Sequence, residues 1–253
     1  MTSDSLKYPY ADTYFVYADS GPAEGATYVL LHGIGMGRVT FEGVAETLRP
    51  YGRVIAMDLP GFGDSPRSLA ADTITENADL IGQFIADLDC GPVVLAGHSM
   101  GTQIAAEIAV ARPELLEALV LIAPTINRHE RSFARQALRM VQDLAGESPK
   151  VLLIGVFEYL KTTPFWFVGR LRRMLAQAIE YLCPLITTPT LVMSGECDFV
   201  APQRWTAEIA AAVPGAELRE IPGRRHDAII KSAEPAASMM LEFVEQLQDP
   251  APQ

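Results

Sequence analysis

The sequence predicts an α/β fold, in which a doubly wound and mostly parallel sheet carries helices on both faces. Three observations support this prediction. Apolar runs typical of buried strands alternate with segments whose apolar residues have helical spacing. One such strand ends in Gly97-His98-Ser99-Met100-Gly101, and a helical segment follows at once. With 253 residues, the chain is long enough for one α/β domain with a large core.

The first half of the chain shows the clearest alternation. Residues 26–31 are continuously apolar, as in a parallel strand that is buried on both faces. Residues 75–88 carry apolar side chains at helical spacing, and Gly91-Pro92 ends that segment. We predict strands at 13–18, 26–31 and 54–58 and helices at 41–48 and 75–88.

The alternation continues beyond the central strand, which begins at Val93. Residues 102–111 predict a helix that ends before Pro113, and residues 119–123 form another buried strand. The remaining predicted elements are strands at 188–195 and 217–221, helices at 203–213 and 235–247, and a disordered tail at 249–253.

The alternation is interrupted for about sixty residues between two of these strands. We therefore predict a core at 1–124 and 186–253 and a helical cap, or lid, at 125–185, called the insertion below. An insertion after the carboxyl end of a strand lies above the sheet edge where ligands bind. We predict that the substrate pocket is lined by His32 and by three aromatic residues of the insertion, Phe133, Phe157 and Trp166.

The insertion is also locally basic. Residues 124–185 carry nine Lys or Arg against five Asp or Glu, whereas the whole chain has a net charge of −11. Four arginines are spaced three or four residues apart, which predicts one basic stripe on a helix: Arg128, Arg131, Arg135 and Arg139. Such a stripe is either a solvated helix face or a docking site for an acidic substrate or a carrier protein.

The composition excludes several classes of function. An acidic chain with a pI near 4.8 makes nucleic acid and anionic membranes poor partners. The sequence shows no secretory signal and no apolar run of transmembrane length, so we expect a cytoplasmic protein without membrane contact. Cys90, Cys183 and Cys197 lie far apart and lack metal-ligand spacing, so we expect reduced thiols and no metal.

The segment from Gly97 to Gly101 has the Gly-x-Ser-x-Gly pattern of a nucleophile elbow in its strand–turn–helix setting. The turn is too tight for side chains at its two glycines. Ser99 is expected to adopt a strained backbone conformation that lifts its hydroxyl above the sheet edge. The helix that follows points its N–H groups and positive dipole end at whatever Ser99 attacks.

A serine hydroxyl attacks only when a neighbouring base, usually histidine, takes its proton. Of the four histidines, His98 is adjacent to the nucleophile and should project away from it, and His129 lies in the insertion. His32 ends a strand and is better suited to holding the following loop by hydrogen bonds. His226 follows a strand at the sheet edge that carries Ser99, so we predict that His226 is the general base.

The acid that orients this histidine should come from another loop at the same edge. Asp198 fits, because it lies three residues after Gly195 at the end of a predicted strand. Glu196 is the rival two residues earlier, and Asp227 is adjacent to the base and badly placed to orient it. We predict Asp198.

A glycine-rich segment near residue 33 superficially resembles a dinucleotide-binding fingerprint. Arg38, however, stands where that fingerprint needs its third glycine, so we expect no nicotinamide or other cofactor. We predict that Asp64 and Ser65, in the loop after the strand at 54–58, fix that loop.

Five motifs together give the chain a resemblance to the α/β-hydrolase fold over nearly its whole length. They are His32-Gly33-Ile34-Gly35, Asp58-Leu59-Pro60-Gly61-Phe62-Gly63-Asp64-Ser65, Gly97-His98-Ser99-Met100-Gly101, Gly195-Glu196-Cys197-Asp198 and Gly223-Arg224-Arg225-His226. The resemblance implies a triad in the chain order nucleophile, acid, histidine, and a helical lid after the family's sixth strand. It also implies an oxyanion hole made by the backbone N–H groups of Ile34 and Met100.

The resemblance implies an enzyme of the serine esterase or lactonase type. Epoxide hydrolases and haloalkane dehalogenases of this fold carry Asp at the position of Ser99, which disfavours an aspartyl-ester mechanism. We therefore expect hydrolysis of an ester, lactone or thioester of a small or mid-sized acyl compound through an acyl-enzyme. Two alternatives stay open: a lyase or acyltransferase that uses the same pocket, and a non-catalytic ligand receptor.

Overall fold

The computed structural model describes residues 5–145, 164–231 and 233–249. Within these residues, one eight-stranded sheet forms the centre of the molecule, in the order β1-β2-β4-β3-β5-β6-β7-β8. The strands are β1 (Ser5–Tyr10), β2 (Thr13–Ser20), β3 (Ala26–Leu31), β4 (Gly52–Asp58), β5 (Val93–His98), β6 (Leu116–Ile122), β7 (Thr190–Gly195) and β8 (Glu217–Ile221). The β1–β2 and β2–β4 pairs are antiparallel and the other pairs are parallel.

Helices connect most of the parallel strands. Those of the described residues are α1 (Glu42–Leu48), α2 (Ile74–Asp87), α3 (Met100–Ala111), α4 (Phe133–Leu144), α5 (Pro164–Ala176), α6 (Gln203–Ala212), α7 (Ala228–Lys231) and α8 (Ala233–Gln248). Thr73 begins α2 with a capping box, in which its side chain accepts from Glu76 N–H while the Glu76 carboxylate accepts from Thr73 N–H.

The two faces of the sheet are buried against different helices. In β3, Val29 belongs to the core beneath α2, α3 and α6, whereas Leu30 belongs to the core beneath α1 and α8. Neighbouring residues of a strand point to opposite faces, so a continuously apolar strand is what a doubly covered sheet requires. The predicted fold class is confirmed.

The first strand is absent from the sequence prediction. It is an edge strand whose side chains are mostly exposed, and it contains Pro9. Proline is tolerated there because an edge strand leaves one side of its backbone unpaired. Ala11, at φ 47°, makes the tight turn that pairs Tyr10 with Thr13 in the β1–β2 hairpin.

Helices α4 and α5 lie within the insertion, between β6 and β7. Gln103 of α3 connects the insertion to the core, because its side-chain amide donates to the carbonyl of Met174 over 2.9 Å and to the side chain of Gln177 over 2.9 Å. Arg131 donates to the carbonyl of Gln177 over 2.8 Å and pairs with Glu180 over 2.7 Å. The predicted tail at 249–253 lies outside the described residues from 250 onward.

The predicted basic stripe is wrong. Arg128 and Arg131 precede α4, so the four arginines do not share one helix face. Three of them are paired with carboxylates of the protein: Arg128 with Glu208 at 2.9 Å, Arg131 with Glu180 at 2.7 Å and Arg139 with Glu130 at 2.7 Å. Most of their positive charge is paired with carboxylates of the protein itself. The structure therefore gives no basis for the acidic partner inferred from the stripe.

Arg170 of α5 is a second connection between the insertion and the core. Its guanidinium is buried and donates to the carbonyls of Ala71 over 2.6 Å and Pro60 over 3.3 Å, and to the carbonyl of Asp72. The group also stacks on Trp166, 4.5 Å from the ring centre. Burial lowers the pKa of Arg170 to about 10, which still leaves it charged at neutral pH.

Arg170→Met is expected to lower the free energy of unfolding by about 2–4 kcal/mol, since buried carbonyls would lose their donor. Urea denaturation would measure the change. The matched control is Arg173→Met on the same helix, which removes a half-exposed ion pair with Asp72 and should cost less than about 1 kcal/mol. Equal losses in the two variants would contradict a special contribution from Arg170.

Candidate active site

Ser99 occupies the turn between β5 and α3. Its φ of 52° and ψ of −115° lie in a region that non-glycine residues rarely adopt, and the residue is buried. Its backbone N–H donates to the carbonyl of Ile122 over 3.0 Å, which fixes the turn to the neighbouring strand β6. The strained strand–turn–helix geometry expected of a nucleophile elbow is present.

The two glycines of the turn are required by close backbone contacts. A Cβ atom on Gly97 would overlap the carbonyl of Gly101, and a Cβ atom on Gly101 would overlap the carbonyl of Leu31 in β3. Only glycine fits at either position without moving the backbone. The amino-terminal end of α3 therefore lies directly against the end of β3.

His226 and Asp198 form a buried pair in the loops that follow β8 and β7. Nδ1 of His226 lies 2.9 Å from Oδ2 of Asp198. Because a carboxylate only accepts, Nδ1 carries the proton and Nε2 keeps its lone pair in the neutral ring. Nε2 is buried and has no hydrogen-bond partner among the described residues.

The charges around this pair favour an imidazolium. Burial lowers the pKa of His226, but Asp198, Asp143 and Asp227 outweigh burial and raise it above its ordinary value. For Asp198 the effects are reversed, because burial disfavours the carboxylate and by itself would raise the pKa of Asp198. His226 and two backbone donors outweigh that effect and hold the pKa of Asp198 below its usual range.

The loop conformation explains why Asp198, of the three carboxylates considered, contacts the ring. Its Oδ1 atom accepts from the N–H groups of Val200 over 2.7 Å and Ala201 over 2.8 Å, which leaves Oδ2 for His226. Glu196 is exposed and accepts instead from Gly223 N–H over 2.8 Å. The geometry thus separates the predicted acid from its rival.

His98 connects the histidine loop to the nucleophile turn. Its Nε2 atom lies 2.9 Å from the carbonyl of His226, and the two rings are 5.0 Å apart between centres. Burial and the neighbouring His226 lower the pKa of His98 to about 3, so the ring stays neutral and donates this hydrogen bond. A Cβ atom on Gly33 would come within 3.0 Å of Ser99 Cβ, so the loop after β3 reaches the same point.

His32 fixes that loop. Its Nδ1 atom lies 2.7 Å from the carbonyl of Gly33, and its Nε2 atom accepts from Leu59 N–H over 2.9 Å. Both ring nitrogens are therefore engaged by backbone in a fully buried ring. The prediction that His32 lines a substrate pocket is wrong, and its alternative role in holding the loop is what the contacts show.

The two predicted oxyanion donors belong to Met100, which follows Ser99, and to Ile34, which follows Gly33. Met100 is the first residue of α3, and the first N–H groups of a helix have no carbonyl partner within it. Ile34 follows Gly33, in a turn where Met36 N–H donates to Gly33 over 3.3 Å. Their role as an oxyanion hole is a proposal that we take up below.

The loop after β4 is fixed as predicted. Ser65 donates to the carbonyl of Asp58 over 2.7 Å and accepts from Val16 N–H over 2.8 Å. The buried Asp58 carboxylate accepts from the backbone N–H groups of Arg38 over 2.6 Å and Asp64 over 2.9 Å. Asp58 therefore joins this loop to the one that contains Ile34.

The aromatic residues of the insertion have different surroundings. Phe133 is half-exposed at the start of α4. Trp166 packs over Gly61, where a Cβ atom would overlap the indole ring. Phe157 lies outside the described residues. Trp166 therefore contacts a loop at the carboxyl edge of the sheet.

Asp143 is a residue of the site that the sequence analysis missed. It lies on α4, is 2% exposed, and its carboxylate accepts from His226 N–H over 3.3 Å. Gln136, seven residues earlier, is also buried. The available signal was a pair of polar residues two turns apart on the same face of an amphipathic helix. That pattern could have indicated a polar contact beneath the helix.

This arrangement occurs within a known family. Residues 28–238 match the alpha/beta hydrolase family. The chain belongs to that family. The magnesium-chelatase 30 kDa subunit of Rhodobacter capsulatus is 28% identical to it, in an alignment that covers 90% of this chain and 89% of that protein.

Two other proteins are also similar to this chain. (E)-2-((N-methylformamido)methylene)succinate hydrolase of Acinetobacter baylyi is 38% identical over 100 residues, or 39% of this chain and 38% of that protein. The structure of a thermophilic esterase from Thermogutta terrifontis superposes with a TM-score of 0.81 at 21% identity, covering 97% of this chain and 99% of that one. At that identity the likeness shows the fold alone.

Within the described residues, no group of three or more His, Cys, Asp or Glu side chains is arranged to hold a metal ion. No helix in the same ranges is long and apolar enough to cross a bilayer.

Proposed function

We propose that the chain is a serine hydrolase that cleaves an ester, lactone or thioester of a small or mid-sized acyl compound. The observation that carries the proposal is the buried Asp198–His226 pair, whose Nε2 atom has no protein partner in the described residues, beside the strained turn at Ser99. A buried polar atom without a partner is costly, and here the hydroxyl of the reacting serine would supply the missing partner.

The reaction follows from these groups. His226 Nε2 takes the hydroxyl proton as Ser99 Oγ attacks the acyl carbon, and the imidazolium is stabilised by Asp198. The N–H groups of Ile34 and Met100 bind the oxyanion of the tetrahedral intermediate. His226 then protonates the leaving alcohol, thiol or ring oxygen. Water, deprotonated by His226, cleaves the acyl-enzyme and restores Ser99.

The insertion is proposed to be a cap over this site. It connects β6 to β7, and β6 lies next to β5, the strand that precedes Ser99. Trp166 on α5 contacts the loop after β4 and Asp143 on α4 contacts the loop of His226, so both described helices reach the carboxyl edge of the sheet.

Turnover of 4-acetoxybutan-2-one in ¹⁸O-water tests the proposal against elimination. Hydrolysis through an acyl-enzyme places one solvent oxygen in the acetate and releases 4-hydroxybutan-2-one. Elimination leaves both acetate oxygens unlabelled and releases methyl vinyl ketone. We expect labelled acetate, measured by mass spectrometry. Enzyme-dependent formation of unlabelled acetate and the alkene would overturn the proposal in favour of a lyase.

A further inference from the structure

The carboxylate of Asp143 bridges the two loops that carry the proposed base and acid. It lies 3.3 and 3.4 Å from His226 N and 3.4 Å from Phe199 N, the residue after Asp198. Asp143 belongs to α4 of the insertion, whereas both loops belong to the core. One side chain of the insertion therefore contacts both halves of the Asp198–His226 pair through their backbone.

A second contact reinforces the same junction. Arg225 donates to the carbonyl of Gln142 over 3.3 Å and stacks on the ring of Phe199, 5.1 Å from its centre. The end of α4 is thus held against the two loops on both sides of Asp143. These contacts fix the distance between the carboxylate and His226.

The titratable groups that face His226 come from four elements. Asp198 lies on the loop after β7, Asp143 on α4, Asp227 on the loop of His226 itself, and His98 at the end of β5. The three carboxylates raise the pKa of His226, whereas His98 is neutral. Burial raises the pKa of Asp143 and Asp198 adds to the effect, while His226 opposes both.

A purely structural role would not require a charge at this position. An asparagine oxygen also accepts from backbone N–H groups, although more weakly, and it avoids the cost of burying a carboxylate. The backbone N–H groups of His226 and Phe199 offset part of that cost, and the imidazolium that forms during catalysis would offset more of it. The placement of Asp143 thus favours an electrostatic contribution.

We propose that Asp143 is a positioning residue of the hydrolysis proposed above. It holds the loops of His226 and Asp198 at their working separation, and its carboxylate stabilises the imidazolium that forms when His226 accepts the Ser99 proton. The inference rests on the proposed function. It also makes α4 of the insertion a working part of the site rather than only its cover.

The test is the pH profile of kcat/KM for p-nitrophenyl butyrate in Asp143→Asn, which keeps an acceptor oxygen and removes the charge. We expect kcat/KM to fall between about tenfold and a hundredfold. The acidic limb, which reports the His226 pKa in the free enzyme, should move to lower pH by about one unit. The direction follows because loss of a negative charge disfavours the imidazolium.

Three further variants make the result specific. Asp143→Glu keeps the charge and should leave the acidic limb in place, and Asp143→Ser is a second neutral variant that repeats the test if Asn does not fold. Glu196→Gln is the matched control, since Glu196 also accepts a backbone N–H from the His226 loop but is exposed, so that solvent screens its charge. It should leave both kcat/KM and the limb unchanged.

Fluorophosphonate labelling separates this inference from the proposed function. One outcome is a neutral Asp143 variant that is labelled stoichiometrically at Ser99 and yet keeps the wild-type kcat/KM and the wild-type acidic limb of the pH profile. That result would overturn the inference about Asp143 and leave the proposed function in place. A wild-type protein that is not labelled at Ser99 would overturn the proposed function and the inference with it. A shift of the limb in Glu196→Gln as large as that in Asp143→Asn would also contradict a specific role for Asp143.

Discussion

Ser99→Ala is expected to abolish covalent labelling by a fluorophosphonate and to lower kcat for p-nitrophenyl butyrate by about 10⁶-fold. The reason is that the acyl-enzyme cannot form without the hydroxyl, and no other group described at the turn between β5 and α3 is a nucleophile. Labelling would be followed by intact-protein mass spectrometry, and kcat by release of p-nitrophenolate. The fold should survive, since only one oxygen atom is removed.

The control for this variant is Ser194→Ala. Ser194 is also a buried serine near the carboxyl end of a parallel strand, in β7, but it has an ordinary strand conformation. It should label like the wild type. Stoichiometric labelling of Ser99→Ala, or loss of labelling in Ser194→Ala alone, would remove Ser99 from the proposed mechanism.

Asp198→Asn is expected to lower kcat by about 10⁴-fold, the size of effect that the equivalent change has in other triads. An amide at this position donates to Nδ1, so the ring turns to the tautomer that carries its proton on Nε2 and cannot take a proton from Ser99. The 2.9 Å contact between Oδ2 and Nδ1 is the structural basis. Steady-state kinetics on a p-nitrophenyl ester would measure the loss.

Glu196→Gln provides the comparison, because Glu196 is the carboxylate that sequence reasoning left as the rival acid. It is exposed and contacts Gly223 N–H rather than an imidazole, so its loss should change kcat by less than about threefold. If the glutamate variant proved the more damaging of the two, the proposed acid would be wrong.

The sequence was sufficient to predict the fold because local signals and tertiary packing agree. Strand β3 is apolar at every position except Thr27, and both of its faces are in fact buried. The prediction failed at β1, where Pro9 and exposed side chains remove the local signal and only pairing with β2 defines the strand. Such an edge strand depends on contacts that a local pattern does not contain.

The candidate site divides in the same way. Ser99, Asp198 and His226 each follow a strand in a recognisable motif, and parallel strands bring such positions to one edge. Asp143 has no motif, because its importance comes from how α4 packs against two distant loops. The supposed arginine stripe failed for a related reason: Arg128 pairs with Glu208, a carboxylate 80 positions away in the chain, which sequence spacing cannot anticipate.

The contacts of the insertion also bear on how such enzymes diversify. Because the insertion joins two adjacent strands, β6 and β7, exchange between homologues would leave the sheet connectivity intact. Asp143, Arg170 and the partners of Gln103 would all be exchanged with it. With the roles proposed here for the insertion and for Asp143, substrate preference and turnover would be inherited together. A recombinant that acquires a new specificity through a foreign insertion would begin with an impaired base and would need compensating substitutions in the core loops.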